Sequence, residues 1–207
     1  MKIKDLIVLA ADKDMAQTLR GIFERPEALG IRKIDVDLRV EEQHDPGCAQ
    51  RGVTFLSIFS GQYRYGLLLF DHHGSGREKI PPLELQETLN RDFGRTGWGD
   101  RARTIVLEPE LEAWVWGASP HVAEVAGWKS GNSKLRQWLR DESWLKEGEV
   151  KPERPALAFK AALRRARKSR SSSLYYRLAQ KVSLARCEDR AFRELREVLR
   201  EWFPPSD

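Results

Sequence analysis

One apolar stretch constrains the fold of this chain more than any other: residues 67–70, LLLF, which run directly into Asp71, His72 and His73. Consecutive apolar residues of this kind are typical of a strand buried on both faces, as in the middle of a parallel sheet. The carboxyl ends of such strands border the crevice in which open α/β sheets bind ligands. We therefore expect the three polar residues either to take part in a ligand site or simply to end the strand.

The segments around this strand predict a succession of alternating strands and helices. Apolar runs, continuous or of period two, indicate strands, and apolar residues at helical spacing indicate helices. The predicted strands are residues 2–10, 33–40, 65–70 and 101–109, and the predicted helices are residues 14–24, 48–63 and 81–99. This order favours an α/β fold with a mostly parallel four-stranded sheet flanked by helices. Residues 41–47, which include Pro46 and Gly47, are predicted to form a loop.

The pattern changes after Pro109, where short helical segments separated by Gly, Pro and Ser replace the strands. We therefore predict an α/β domain at residues 1–118 and a helical C-terminal subdomain at residues 119–207. Trp114 and Trp116 belong to a set of tryptophans that we expect to pack in the core rather than to stack on bases.

The composition favours a cytoplasmic protein. The chain of 207 residues is 41% hydrophobic and 32% charged, and no segment approaches the roughly 18 consecutive apolar residues of a membrane span. Asp12 interrupts the N-terminal apolar run, which favours a first strand over a signal peptide. Cys48 and Cys187 are far apart and have no ligand-like spacing, as expected in a reducing compartment.

Acidic residues follow three of the four predicted strands. They are Asp12 and Asp14 after the first strand, Asp71 after the third, and Glu108, Glu110 and Glu112 after the fourth. Because the carboxyl ends of parallel strands meet at one edge of the sheet, these carboxylates are expected to converge. Mg²⁺ prefers such oxygen ligands, and metal ions at carboxylate sites support phosphoryl-transfer chemistry. Asp12 and Asp14 are also ordinary helix-capping residues, and Glu108 and Glu112 would share a face of a helix beginning at Pro109.

The strand order, the acidic turn after the first strand and the segment LLLFDHHGSG together resemble the Toprim family, over about residues 1–118. In that family a glutamate follows the first strand and an Asp-x-Asp motif follows the third, and together they bind Mg²⁺. Its members include topoisomerases, primases, small recombination proteins and nucleases of bacterial defence systems. The segment VLEPELEAWVWG also resembles the acidic, aromatic segment of small Toprim-like proteins. The whole chain is similar to small components of bacterial anti-phage gene clusters, notably methylation-associated defence systems.

The strand-end acidic residues, taken together with this resemblance, predict a nuclease that uses Mg²⁺ or Mn²⁺ and has nucleic acid and other defence-system proteins as partners. The candidate catalytic residues are Asp71, Glu108 and Glu112. The candidate metal ligands are Asp12, Asp14, Asp71, His73 and Glu108.

Two positions depart from the family pattern. Ala10 stands where the family has its glutamate, and Asp12 could replace it only with a shifted backbone. His73 occupies the second acidic position of Asp-x-Asp, and histidine is a better ligand for Mn²⁺ than for Mg²⁺. Two hypotheses follow: a metal-dependent nuclease, or a catalytically degenerate Toprim-like module that binds nucleic acid or a partner subunit.

A basic segment at residues 151–170 contains eight lysines and arginines but one glutamate, in a chain of formal net charge +5. The spacing predicts a helix with several of these cations along one face. The candidate nucleic-acid-binding residues are Lys160, Arg164, Arg165, Arg167, Lys168 and Arg170. Arginines beside serine and tyrosine hydroxyls suit contacts to phosphates that do not read sequence. A partner-protein interface and a simply solvated helix face are the alternatives.

Overall fold

The computed structural model describes residues 3–117, 119–184 and 187–205. The first part contains β1 (Lys4–Ala10), α1 (Lys13–Phe23), α2 (Pro26–Leu29), β2 (Val36–Val40), α3 (His44–Ser57), β3 (Tyr63–Asp71), α4 (Pro82–Gly94) and β4 (Ala102–Leu107). The second part is helical, with α5 (Glu112–Val115), α6 (His121–Ala126), α7 (Gly131–Asp141), α8 (Pro155–Arg165), α9 (Ser172–Lys181) and α10 (Arg190–Trp202).

The four strands form one parallel sheet in the order β2-β1-β3-β4, which confirms the predicted α/β architecture. Residues 6–10 of β1 and 67–70 of β3 are completely buried, because these two central strands are covered on both faces. Burial on both faces explains why they read as continuous apolar runs rather than as alternating patterns. All four strands end at the same edge, as the crossovers of a parallel sheet require.

The C-terminal helices pack on the α/β body. Helix α9 lies so close to α1 that a Cβ on Gly21 would come within 2.8 Å of the Ala179 Cβ. At the end of α10, the Trp202 ring stacks on Tyr65 of β3 with centroids 4.5 Å apart. The predicted domain boundary at residue 118 lies outside the described residues. No helix in the described ranges is long and apolar enough to cross a membrane.

The predicted packing of the tryptophans is confirmed at the positions that anchor the helices. Trp98 and Trp116 are almost completely buried. The Trp98 indole N–H donates to the Leu56 carbonyl at 2.9 Å, and that of Trp116 donates to the Pro155 carbonyl at 2.9 Å. Buried indoles keep such a hydrogen bond to a carbonyl because an unpaired N–H would be costly in the core.

Several predicted boundaries were wrong. The helices predicted at residues 48–63 and 81–99 end earlier, at Ser57 and Gly94, and three further differences affect the site. The supposed loop at residues 41–47 is interrupted by α3, which begins at His44, because a proline in the first helical turn needs no N–H partner. No helix begins at Pro109, since α5 starts only at Glu112 and Glu108 therefore does not share a helix face with it. Helix α8 ends at Arg165, so the basic residues after it do not continue the helical stripe.

Candidate functional site

Four carboxyl groups gather at the carboxyl edge of the sheet. Asp71 ends β3, Asp12 follows β1, Asp45 lies in the first turn of α3, and Glu112 begins α5. We call these four residues the carboxylate cluster. They are close enough for the negative charges of Asp45, Glu112 and Asp12 each to raise the pKa of Asp71. The predicted convergence of Asp12, Asp71 and Glu112 therefore takes place.

Local hydrogen bonds fix two members of the cluster. The Asp12 carboxylate caps α1 by accepting the Met15 N–H at 2.8 Å, which confirms the alternative role considered for it. Asp45 Oδ1 accepts the Asp71 backbone N–H at 2.8 Å and so ties α3 to the end of β3. Burial is the main cause that raises the pKa of Asp45, and the charge of Asp12 adds to it, while the Asp71 N–H acts in the opposite direction.

Asp71 is the member of the cluster whose charge is least compensated. Part of the residue is accessible to solvent, but its Oδ1 atom is buried and has no hydrogen-bond partner within the described ranges. Burial raises its pKa well above the usual 3.8, and the charge of Asp45 raises it further; the nearby Leu111 backbone N–H acts in the opposite direction. A carboxyl group in this position requires a proton or a cation.

Glu112 has its own cation and hydroxyl donor. The Tyr175 hydroxyl donates to its Oε1 atom, and Arg170 Nη2 lies 3.4 Å from the same oxygen. Arg170 also binds Asp14 Oδ2 at 2.6 Å and donates through Nε to the Tyr175 hydroxyl at 3.1 Å. Burial raises the pKa of Glu112, and the Tyr175 and Arg170 contacts lower it. Arg170, predicted to contact nucleic acid, thus points towards carboxylates instead.

The remaining predicted ligands have other surroundings. Glu108 is exposed, and 73% of the His73 side chain is exposed. The His73 Nδ1 atom lies 3.4 Å from Glu110 Oε2, while Glu110 Oε1 accepts the Ala156 N–H at 2.8 Å. Among the described residues, neither Glu108 nor His73 forms a hydrogen bond or ion pair with the carboxylate cluster.

The described part of the chain contains no group of three or more His, Cys, Asp or Glu side chains already arranged to hold a metal ion. The donor chemistry of the cluster nevertheless suits one. Its four members offer only carboxylate oxygens, which Mg²⁺ and Mn²⁺ prefer, and one of these oxygens is a buried atom without a partner. Any ion would have to be accompanied by closer approach of these side chains.

The predicted basic residues separate into two groups. Lys160, Arg164 and Arg165 on α8, together with Arg167 beyond its end, are exposed. We call these four residues the basic face; none of their side chains has a hydrogen bond or ion pair within the residues that the structure covers. The Lys168 Nζ atom instead donates to the Val125 carbonyl at 2.6 Å.

Two residues of this site were missed in the sequence. The local pattern EEQHDPG predicts a loop at Asp45, although an acidic residue immediately before a proline is also typical of a first helical turn. Tyr175 is one of the tyrosines that follow the basic segment, where the sequence suggests only a phosphate contact. It is almost completely buried and its hydroxyl serves Glu112, a pairing across 63 positions that no local pattern indicates.

No protein-family model, no curated protein and no solved structure matches this chain. The resemblance to the Toprim family therefore stays a prediction.

Proposed function

We propose that the carboxylate cluster binds a divalent cation, Mg²⁺ or Mn²⁺, and that the protein acts on phosphodiester bonds of nucleic acid. The observation that carries this proposal is the buried, unpartnered Oδ1 of Asp71 among three other carboxyl groups. Like charges that converge in a buried position are costly unless a proton or cation lies between them. A bound divalent ion would supply Lewis-acid stabilisation of charge at phosphate oxygens.

Side chains of this protein would provide the metal ligands, the positioning of Glu112 and the contacts to phosphates. Asp71, Asp45 and Asp12 supply oxygen ligands, whereas Tyr175 and Arg170 hold Glu112 in a fixed orientation beside them. The basic face supplies cations that contact phosphates and position a nucleic-acid backbone without reading its sequence. Arg170 follows Arg167 of this face by three positions and contacts Glu112 of the cluster, so a backbone bound near the end of α8 would lie close to the cluster. His73 is not needed as a ligand in this arrangement.

A second candidate function is favoured by Arg170. Its guanidinium already places a positive charge beside Asp14 and Glu112. A cationic side chain in this position would suit a catalytically degenerate module, which binds nucleic acid or a partner subunit through the basic face and cleaves nothing. A role in anti-phage defence and a cytoplasmic location remain predictions under either function.

Calorimetric titration with Mg²⁺ and with Mn²⁺ would separate the two functions. We would compare the chelator-stripped protein with Asp71→Asn and with Glu108→Gln, which removes an exposed carboxylate near the end of the neighbouring strand. The metal-dependent function predicts binding in the parent and in Glu108→Gln, and its loss in Asp71→Asn. Binding should tighten as the pH rises through the elevated pKa of Asp71, because metal and proton compete for the carboxylate.

The same three proteins would then be incubated with labelled single- and double-stranded DNA and RNA. Metal-dependent cleavage that disappears only in Asp71→Asn would support the proposed enzyme. Backbone binding without metal affinity or cleavage would overturn it in favour of the degenerate module.

A further inference from the structure

The two edges of the sheet differ in how their outward backbone groups are satisfied. At β4, the Thr104 N–H donates to Asn90 Oδ1 at 2.7 Å, and the Val106 N–H donates to Gln86 Oε1 at 3.0 Å. Arg190 donates to the Val106 carbonyl at 2.6 Å. Side chains thus form hydrogen bonds with outward-facing backbone groups of β4, so another strand cannot pair with this edge.

The β2 edge has no such cover. The Leu6 N–H donates to the Asp35 carbonyl at 3.1 Å, and the Glu41 N–H donates to the Ala10 carbonyl at 2.9 Å. Because backbone direction alternates along a strand, the odd-numbered residues of this stretch face β1, and residues 36, 38 and 40 face outward. Within residues 3–117, 119–184 and 187–205, no hydrogen bond satisfies the backbone N–H and C=O groups of these three residues.

The sequence of β2, VDLRV, is complementary to itself when two copies run antiparallel about Leu38. In that register Val36 lies opposite Val40, and Asp37 lies opposite Arg39. The outward-facing residues 36, 38 and 40 then form the hydrogen-bonded pairs. Asp37 and Arg39 form the intervening pairs, in which side chains approach most closely and opposite charges are favourable.

Other antiparallel registers lack this complementarity. A shift by one residue would bring outward-facing groups opposite residues whose N–H and C=O already bond to β1. A shift by two residues would place Asp37 opposite Asp37, or Arg39 opposite Arg39, and directly opposed like charges are unfavourable. The hydrogen-bond direction and the charges therefore select the same register.

The charges needed for this pairing are available. Asp37 binds Lys4 at 2.9 Å and the Tyr63 hydroxyl through Oδ2 alone, and these contacts lower its pKa, so that it is ionised at neutral pH. Arg39 is exposed and makes no hydrogen bond or ion pair with any described residue. Val40 is 40% exposed, so it has apolar surface that a partner strand could cover.

A groove of about 520 Å³ runs beside β2 on the side of α1. Its apolar lining includes Phe23, Ile34, Val36 and Leu38, and charged residues of both signs border it. An antiparallel partner strand would place its own residues 36, 38 and 40 on this same side, where they would cover Val40 and narrow the groove. A second copy thus supplies apolar side chains as well as backbone groups.

We propose that β2 pairs with β2 of a second copy of this chain, in antiparallel register about Leu38, to give a continuous eight-stranded sheet. The proposal does not depend on the function of the carboxylate cluster. A pair of five-residue strands buries less surface than a permanent dimer requires, so we expect a reversible dimer with a Kd on the order of micromolar to tens of micromolar.

Sedimentation equilibrium across roughly 1–500 µM, a range that spans this affinity, would test the proposal with two single variants. Arg39→Glu and Asp37→Lys each put like charges opposite each other, and each alone should weaken the homodimer at least about tenfold. Their equimolar mixture should restore the dimer, because the new anion of one variant faces the new cation of the other. Arg193→Glu, an exposed charge reversal on α10, should dimerise like the parent.

Circular dichroism would establish that both variants fold, which matters because Asp37→Lys also loses the Lys4 and Tyr63 contacts. Recovery in the mixture is specific to the antiparallel register and would not follow from a general loss of stability. A parent protein that stays monomeric throughout the concentration range would overturn the proposal. A dimer that neither variant weakens, or two weakened variants that do not recover on mixing, would also overturn it.

Discussion

Two charged regions of this protein, the carboxylate cluster and the basic face, differ greatly in their exposure to solvent. In the carboxylate cluster, burial raises the pKa of Asp71, Asp45 and Glu112, and neighbouring negative charges add to the effect at Asp71 and Asp45. In the basic face, the four cationic side chains extend into solvent. Buried like charges are costly, whereas the interactions of exposed charges are weak in water and are largely screened beyond a Debye length of roughly 8–10 Å.

The difference in exposure indicates which of these charges lower the stability of the folded chain. The exposed cations of the basic face hardly lower the stability of the folded chain. This face can therefore stay charged and bind a partner of opposite charge. The cluster destabilises the folded chain unless a proton, Arg170 or a further cation compensates it. Charged residues that lower stability in this way are candidates for function. For this reason we propose the functional site at Asp71 rather than on α8.

The largest effect on stability is expected from Arg170→Gln. This change removes the cation shared by Asp14 and Glu112 and leaves the Glu112 carboxylate, whose side chain is only 6% exposed, with Tyr175 alone. Breaking a fully buried pair costs about 3–5 kcal/mol, and since half of the Arg170 side chain is exposed we expect about 2 kcal/mol. Urea denaturation at neutral pH would measure it.

Arg164→Gln on the basic face is the matched control, because it removes the same charge from an exposed position that has no partner among the described residues. Its unfolding free energy should equal that of the parent within error. Equal losses in both variants would show that Arg170 is no more important to the fold than an ordinary surface cation.

Asp71→Asn is expected to stabilise the protein at neutral pH. Because the folded-state pKa of Asp71 is raised above the unfolded value of about 3.8, the folded protein retains a proton that the unfolded chain releases. Its contribution to stability is present below pH 3.8 and is lost as the pH rises through the folded pKa. The neutral amide has no charge to bury, so Asp71→Asn should unfold with a higher free energy than the parent at pH 7.

The pH dependence separates this explanation from a simple packing effect. The gain in Asp71→Asn should shrink as the pH is lowered towards 4, and Glu108→Gln should show little change at either pH. Chemical denaturation of the three proteins at pH 4, 5.5 and 7 would provide the comparison. A destabilised Asp71→Asn at neutral pH would mean that the ionised carboxylate already has an adequate partner.

The sheet and part of the cluster could be predicted from sequence because they depend on local patterns. The apolar runs located β1 and β3, and Asp71 was identified because it directly follows the second of them. Asp45 was missed because Pro46 and Gly47 favour a turn when they are considered alone. In the structure Gly47 is buried against Glu41, where a Cβ would come within 2.6 Å of the Glu41 Cγ atom. A glycine is needed at this position because of its contact with Glu41, which lies outside the helix. The helical spacing of apolar residues does not reveal such a contact.

The fates of the predicted cations show a second limit. Lys160, Arg164, Lys168 and Arg170 are equivalent by composition. The side chains of the first two have no partner among the described residues, while the other two contact the Val125 carbonyl and the carboxylates. The distinction arises where α8 ends and the chain turns back, since Arg167 adopts a φ of 54°. The spacing of these cations predicts one continuous helical stripe. Contacts with other parts of the fold determine which of them have a partner.

The smallest expected effect tests the basic face itself. Arg164→Gln should weaken binding to duplex DNA a few-fold without altering stability, because one phosphate contact among several is lost. The slope of log K against log salt concentration should become shallower by about 0.9, the value for one released counterion per phosphate. Fluorescence anisotropy with a labelled duplex at several salt concentrations would measure both quantities. Arg193→Gln removes an exposed arginine from α10, away from the basic face, and should leave affinity and slope unchanged. If the two substitutions reduce the slope equally, the protein binds DNA through its overall positive charge, and α8 has no special part in holding the backbone beside the carboxylate cluster.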